Sequence, residues 1–73
     1  MVVKIGLQEF LTILEDGSNV CVNCGLKVYE GKNDNDFFDS LRDDLGLMVY
    51  RLNVVNFFFS TIYNAIYITV EVN

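Results

Sequence analysis

A chain of 73 residues is one domain, of a size at which a single core hides only about 60% of the unfolded surface, so a staple or a partner would help it. Its 52% hydrophobic content is too high for a disordered segment, and a formal charge of −5 argues against a basic nucleic-acid grip and for basic partners. Histidine is absent, which removes the commonest general base and the usual nitrogen ligand for a metal.

The chain opens with Met1-Val2-Val3-Lys4, which has neither the basic start nor the long apolar stretch of a signal peptide. No apolar run approaches the ~18 residues of a membrane span. A cytoplasmic location is therefore expected, where a disulfide between the two cysteines would not persist. Leu7, Phe10, Leu11 and Leu14 fall at i, i+3, i+4 and i+7, predicting a helix from Gly6 to Asp16 with one core stripe and Gly17 as its left-handed cap.

Val20 to Tyr29 reads as a β-hairpin, with alternating apolar residues on both sides of an Asn-Cys-Gly corner and Cys21 and Cys24 at its tip. The polar run Glu30 to Asn35 is a predicted loop. A second helix follows, capped by Asp36 and stopped by Gly46, with Phe37, Phe38, Leu41 and Leu45 on one face. Asp36, Asp39, Asp43 and Asp44 stand on or beside its other face with only Arg42 among them, either a solvated surface or a contact for a basic partner. Alternation over Met48–Val54 and again over Ile66–Val72 predicts two long strands. Between them, Phe57, Phe58, Phe59 and Tyr63 cannot all enter so small a core if the segment is extended, so some are exposed anchors or all complete a thin core. The expected fold is α+β over residues 1–73: an antiparallel sheet of about four strands with two helices on one face, in the order α-β-β-α-β-β.

Three chemistries bear on these residues. Cys21 and Cys24 form a Cys-x-x-Cys-Gly, half of a zinc knuckle, which Asp34 or Asp36, or a second chain's cysteines, would have to complete; the alternative is two idle, buried thiols. A redox role would require thiols of lowered pKa. Catalysis is not expected: Ser18, Ser40 and Ser60 have no histidine to activate them, and no Gly-rich phosphate cradle is present.

The opening Leu7-Gln8-Glu9-Phe10-Leu11-Thr12-Ile13-Leu14, the hairpin ending in Tyr29-Glu30-Gly31, the acidic helix and the two closing strands give a layout that resembles small acidic proteins encoded by phages and prophages of low-GC Gram-positive bacteria. Some of these are anti-CRISPR proteins, which bind an RNA-guided nuclease of the host and block its access to DNA. The resemblance implies a non-enzymatic inhibitor acting through protein–protein contacts, with Asp36, Asp39, Asp43 and Asp44 against a basic surface and the aromatics as anchors. The alternative expectation is an assembly protein that forms a homo-oligomer through its aromatic patch.

Overall fold

The computed structural model describes residues 5–25 and 27–72. The fold is α+β, with the elements β1 (Ile5–Gly6), α1 (Leu7–Ile13), β2 (Asn19–Cys24), β3 (Lys27–Lys32), α2 (Asn35–Leu45), a 3-10 helix (Gly46–Arg51), β4 (Leu52–Ser60) and β5 (Ala65–Val72). The sheet has five strands in the order β1-β4-β5-β2-β3, and all neighbours are antiparallel except β2 and β5, which run parallel.

This corrects the expected sheet of about four antiparallel strands. The extra strand, β1, is described over Ile5–Gly6 and pairs Ile5 with Val54 and Gly6 with Asn53. Its partner lies far along the chain, so no local pattern announces the pairing. The parallel pair follows from the helical connections: β1-α1-β2 and β3-α2-β4 each return the chain in its original direction, which hairpins alone cannot do.

Both helices cover the same face. Leu7, Phe10 and Leu11 from α1 and Phe37 and Leu41 from α2 join Val20, Val22, Ile68, Val70, Leu52 and Val54 of the sheet in one core. Alternation along each strand explains the choice, since directly paired residues such as Val22 and Ile68 share a face. The opposite face, carrying Cys21, Tyr67 and Phe58, is covered by no element among the described residues.

Several local boundaries differ from the sequence expectation. Helix α1 stops at Ile13, and Leu14 is extended (φ −82°, ψ 156°). The termination is held from a distance: buried Asn33 donates from Nδ2 to the carbonyls of Leu11 (2.9 Å) and Glu15 (3.2 Å), and its backbone N–H bonds Ser18 (2.7 Å). Carbonyls orphaned at the helix end thus find a donor inside the protein. Gly17, expected as the cap, instead takes φ 81° in the turn before β2. The cap of α2 is Asp34, whose Oδ1 accepts from the Phe37 N–H at 2.9 Å, and not Asp36, which lies in the first turn. Gly46 ends α2 as expected, with φ 66°. Met48 to Arg51 is 3-10 helix rather than strand, because Val49 alone among them is buried while Met48 and Tyr50 face outward.

Gly31, expected in a loop, lies in β3 beneath Phe37. A Cβ there would stand 2.7 Å from Cδ1 of that ring, so the missing side chain is what lets α2 settle on the sheet.

Candidate functional site

The acidic helix is built as a rigid rod with two different sides. Phe37 and Leu41 anchor it in the core, and Asp36, Asp39 and Asp43, spaced i, i+3 and i+7, form one exposed stripe opposite them. Arg42 pairs with Asp39 at 3.0 Å and reaches the Tyr50 hydroxyl at 3.5 Å. That hydroxyl and then the Asp39 charge hold the guanidinium pKa above its ordinary value. One cation therefore leans on the stripe, while Asp36 and Asp43 are exposed to solvent.

Asp44 does something else. It lies on the flank toward β3, where it accepts from the Tyr29 hydroxyl and from Lys27 Nζ at 3.3 Å. The hydrogen bond from Tyr29, followed by Lys27, holds the carboxyl below its usual range. In turn the Tyr29 hydroxyl is pushed up to about 12, first by its bond to Asp44 and then by burial. The fourth expected contact residue is thus engaged in docking α2 onto the sheet.

Cys21 and Cys24 are not at one tip. They stand three residues apart on the extended strand β2, so their side chains leave opposite faces of the sheet. Cys21 lies on the open face, where its thiol donates to Glu30 Oε1 at 3.9 Å, and Cys24 packs at the border of the core near Leu45, Met48 and Leu52. Asp34 and Asp36 belong to the start of α2, and among the described residues no three His, Cys, Asp or Glu side chains gather where they could hold a metal ion. Within one chain the described donors do not converge in the tetrahedron that zinc needs. Burial raises the pKa of both thiols, with the Glu30 charge adding to it at Cys21, the reverse of what a reactive thiol requires.

The aromatic run is part of β4, and it is exposed: Phe57 is 57%, Phe58 56%, Phe59 56% and Tyr63 69% accessible. Pairing with β5 places Phe57 and Phe59 opposite Ile68 and Ile66 on the helix side, and Phe58 opposite Tyr67 on the open side. Phe57 leans on Phe10 with ring centroids 4.9 Å apart. Phe58 stacks on Tyr67 at 5.2 Å and 7°, and Tyr63 meets the same ring edge-on at 6.3 Å. Sequence reasoning passed over Tyr67, although its place between Ile66 and Ile68 in an alternating strand already put it on the face away from the core.

Two surfaces therefore stand out: an acidic stripe on α2 and an aromatic row along β4 that continues over the open face. Neither surrounds a nucleophile with a base. No helix among the described residues is long and apolar enough to cross a membrane. No family model, curated protein or solved structure gives a significant match to the chain, so a functional reading has to rest on these surfaces.

Proposed function

We propose that this chain is a non-enzymatic protein-binding module that sets the acidic stripe of α2 against a basic surface, and, following the resemblance, that its target is an RNA-guided nuclease of a bacterial host. The observation that supports this reading is the placement of Asp36, Asp39 and Asp43 in one exposed row on a helix anchored through Phe37 and Leu41, in a chain of net charge −5. A fixed row of like charges loses little conformational freedom on binding and steers a positively charged partner toward it. Nucleases of this kind hold nucleic acid in positively charged channels, for which such a row would compete. Pull-down against a panel of RNA-guided nucleases, with and without guide RNA, tests the reading. Binding should weaken with added salt and be lost when Asp36, Asp39 and Asp43 are all changed to Asn; a panel in which no nuclease binds would sink it.

A further inference from the structure

We infer that the cleft over Cys21, on the open face of the sheet, receives the guanidinium of an arginine presented by a protein partner, held between the ring of Tyr67 and the carboxylate of Glu30. The cleft lies across the sheet from the stripe on α2, so the inference is independent of the nuclease reading.

Register builds the cleft. Cys21 of β2 is paired with Tyr67 of β5 on one side and with Glu30 of β3 on the other, and directly paired residues point to one face. A short side chain therefore stands between two long ones, and a cleft of about 330 Å³ opens above it, lined also by Asn19, Lys32 and Tyr63. It sits at the Asn19 end of β2 and the Ala65 end of β5, opposite the ends that residues 26 and 73 adjoin. Strand β4 separates it from β1, so the cleft is formed whatever lies along the outer side of β4.

Its walls are fixed before anything binds. Phe58 stacks on Tyr67 from the β4 side, with ring centroids 5.2 Å apart and planes 7° from parallel, which turns the other face of Tyr67 toward β2 and the cleft. Tyr63 meets Tyr67 at 65° and closes one end. The turn that carries Tyr63 is tied down twice: Asn19 Nδ2 donates to the Asn64 carbonyl at 3.1 Å, and the Tyr63 N–H donates to Ser60 Oγ at 3.3 Å. On the opposite wall the Glu30 carboxylate accepts a thiol bond from Cys21 at 3.9 Å and keeps lone pairs for stronger donors. After burial, Cys21, Tyr63 and Glu30 raise the pKa of the Tyr67 hydroxyl; the groups that close on this ring are acids.

A flat cation fits between such walls. The face of an aromatic ring is negative and attracts a cation within about 6 Å of its centroid. A guanidinium can lie on the ring while the N–H groups around its rim reach in plane toward a carboxylate, which a tetrahedral ammonium cannot do, and it gives up a weaker hydration shell on leaving water. The chain's charge of −5 draws such a group in. Lys32 opposes it. This residue follows Glu30 by two on the same face, opposite Asn19, and forms no ion pair with Glu30. It is not among the charges that act on the Tyr67 hydroxyl, so it lessens the attraction without occupying the ring face.

Titration of the isotope-labelled full chain with N-acetyl-arginine amide should move the amide resonances of Cys21, Glu30 and Tyr67 and saturate in the millimolar range. N-acetyl-citrulline amide, which has the same shape without the charge, should bind at least about tenfold more weakly, and N-acetyl-lysine amide about threefold. Glu30→Gln and Tyr67→Leu should each weaken the arginine probe about tenfold, while Lys32→Gln should tighten it about twofold. Glu30 is exposed, so Glu30→Gln leaves the fold intact and decides the matter where Tyr67→Leu disturbs the sheet. Shifts that do not saturate, a citrulline probe that binds as well as arginine, or an arginine affinity indifferent to Glu30→Gln overturns the inference. Acetate that binds more tightly than arginine, and is lost in Lys32→Gln, also overturns it, by assigning the cleft to an anion.

Discussion

The two long edges of the sheet are built on opposite principles. The β3 edge reads Lys27-Val28-Tyr29-Glu30-Gly31-Lys32, with a charge at both ends and one within. Helix α2 is tied to it twice, through Phe37 over Gly31 and through Asp44 to Tyr29 and Lys27. The β4 edge reads Asn56-Phe57-Phe58-Phe59-Ser60, without a charge, and among the described residues β1 pairs with this strand at Asn53 and Val54. Charges and a covering helix are the usual protections of a sheet edge. Among the described residues both stand on the β3 side.

The largest effect should come from breaking the guarded side. Gly31→Val forces two branches into the space of Phe37, whose ring already stands 2.7 Å from the position of a Cβ. The ring must move, taking α2 with it, and overpacking of this kind costs about 1–3 kcal/mol. Urea denaturation should show a lower midpoint with an unchanged slope. A loss within about 0.5 kcal/mol would mean that the β3 edge is held by something other than this close approach.

Much of this division was readable in the sequence, but unevenly. The stripe of Phe37, Phe38, Leu41 and Leu45 and the stop at Gly46 fix α2, because helical spacing and a left-handed glycine are local signals. Strand β5 is equally clear from Ile66, Ile68, Val70 and Val72. What was not legible depends on partners distant in the chain. Strand β1 exists only because Val54 and Asn53 lie beside it, and Asn33, apparently one more polar loop residue, is a buried donor only once α1 ends above it. The placing of both cysteines at one hairpin tip fails for a related reason: two sulfurs converge if the chain turns between them, whereas β2 runs straight through both. Among the site residues, the row of Asp36, Asp39 and Asp43 follows from spacing alone. The diversion of Asp44 required Tyr29 and Lys27 to approach across space.

A smaller effect should appear when the guard is loosened by titration. The folded-state pKa of Asp44 is depressed by Tyr29 and Lys27, so its contribution to stability is present above the ordinary carboxylate pKa of about 4 and is lost as pH falls through the lower folded value. Tyr29 is raised from 10 to about 12, so its contribution is complete below pH 10 and is lost as pH rises toward 12. Between these limits the contact should be insensitive to pH. Melting temperatures of the wild type and Asp44→Asn should therefore differ by a constant amount near neutrality and converge in acid. Curves that stay parallel into acid would show that this carboxylate does not secure α2 to β3.

The smallest expected effect is none, and it concerns whether a metal adds a further tie on the guarded side. Strand β2 pairs with β3 along its whole length, from Asn19 opposite Lys32 to Cys24 opposite Lys27, so a metal clamp at its cysteines would strengthen that half of the sheet alone. A structural zinc is worth roughly 10 kcal/mol in peptides, and a chain this small could not lose it unnoticed. Yet Cys21 faces Glu30 on the open side while Cys24 faces the border of the core. Two sulfurs that point apart cannot share an ion without rebuilding the strand. The melting temperature should therefore be the same before and after treatment with a strong chelator, and Cys24→Ala should cost no more than the loss of a small, partly buried side chain. A chelator-induced drop of several degrees, together with an equivalent of zinc released per chain, would mean that β2 bends at Asn23 to bring both sulfurs to one side and that the guarded edge owes its order to a metal.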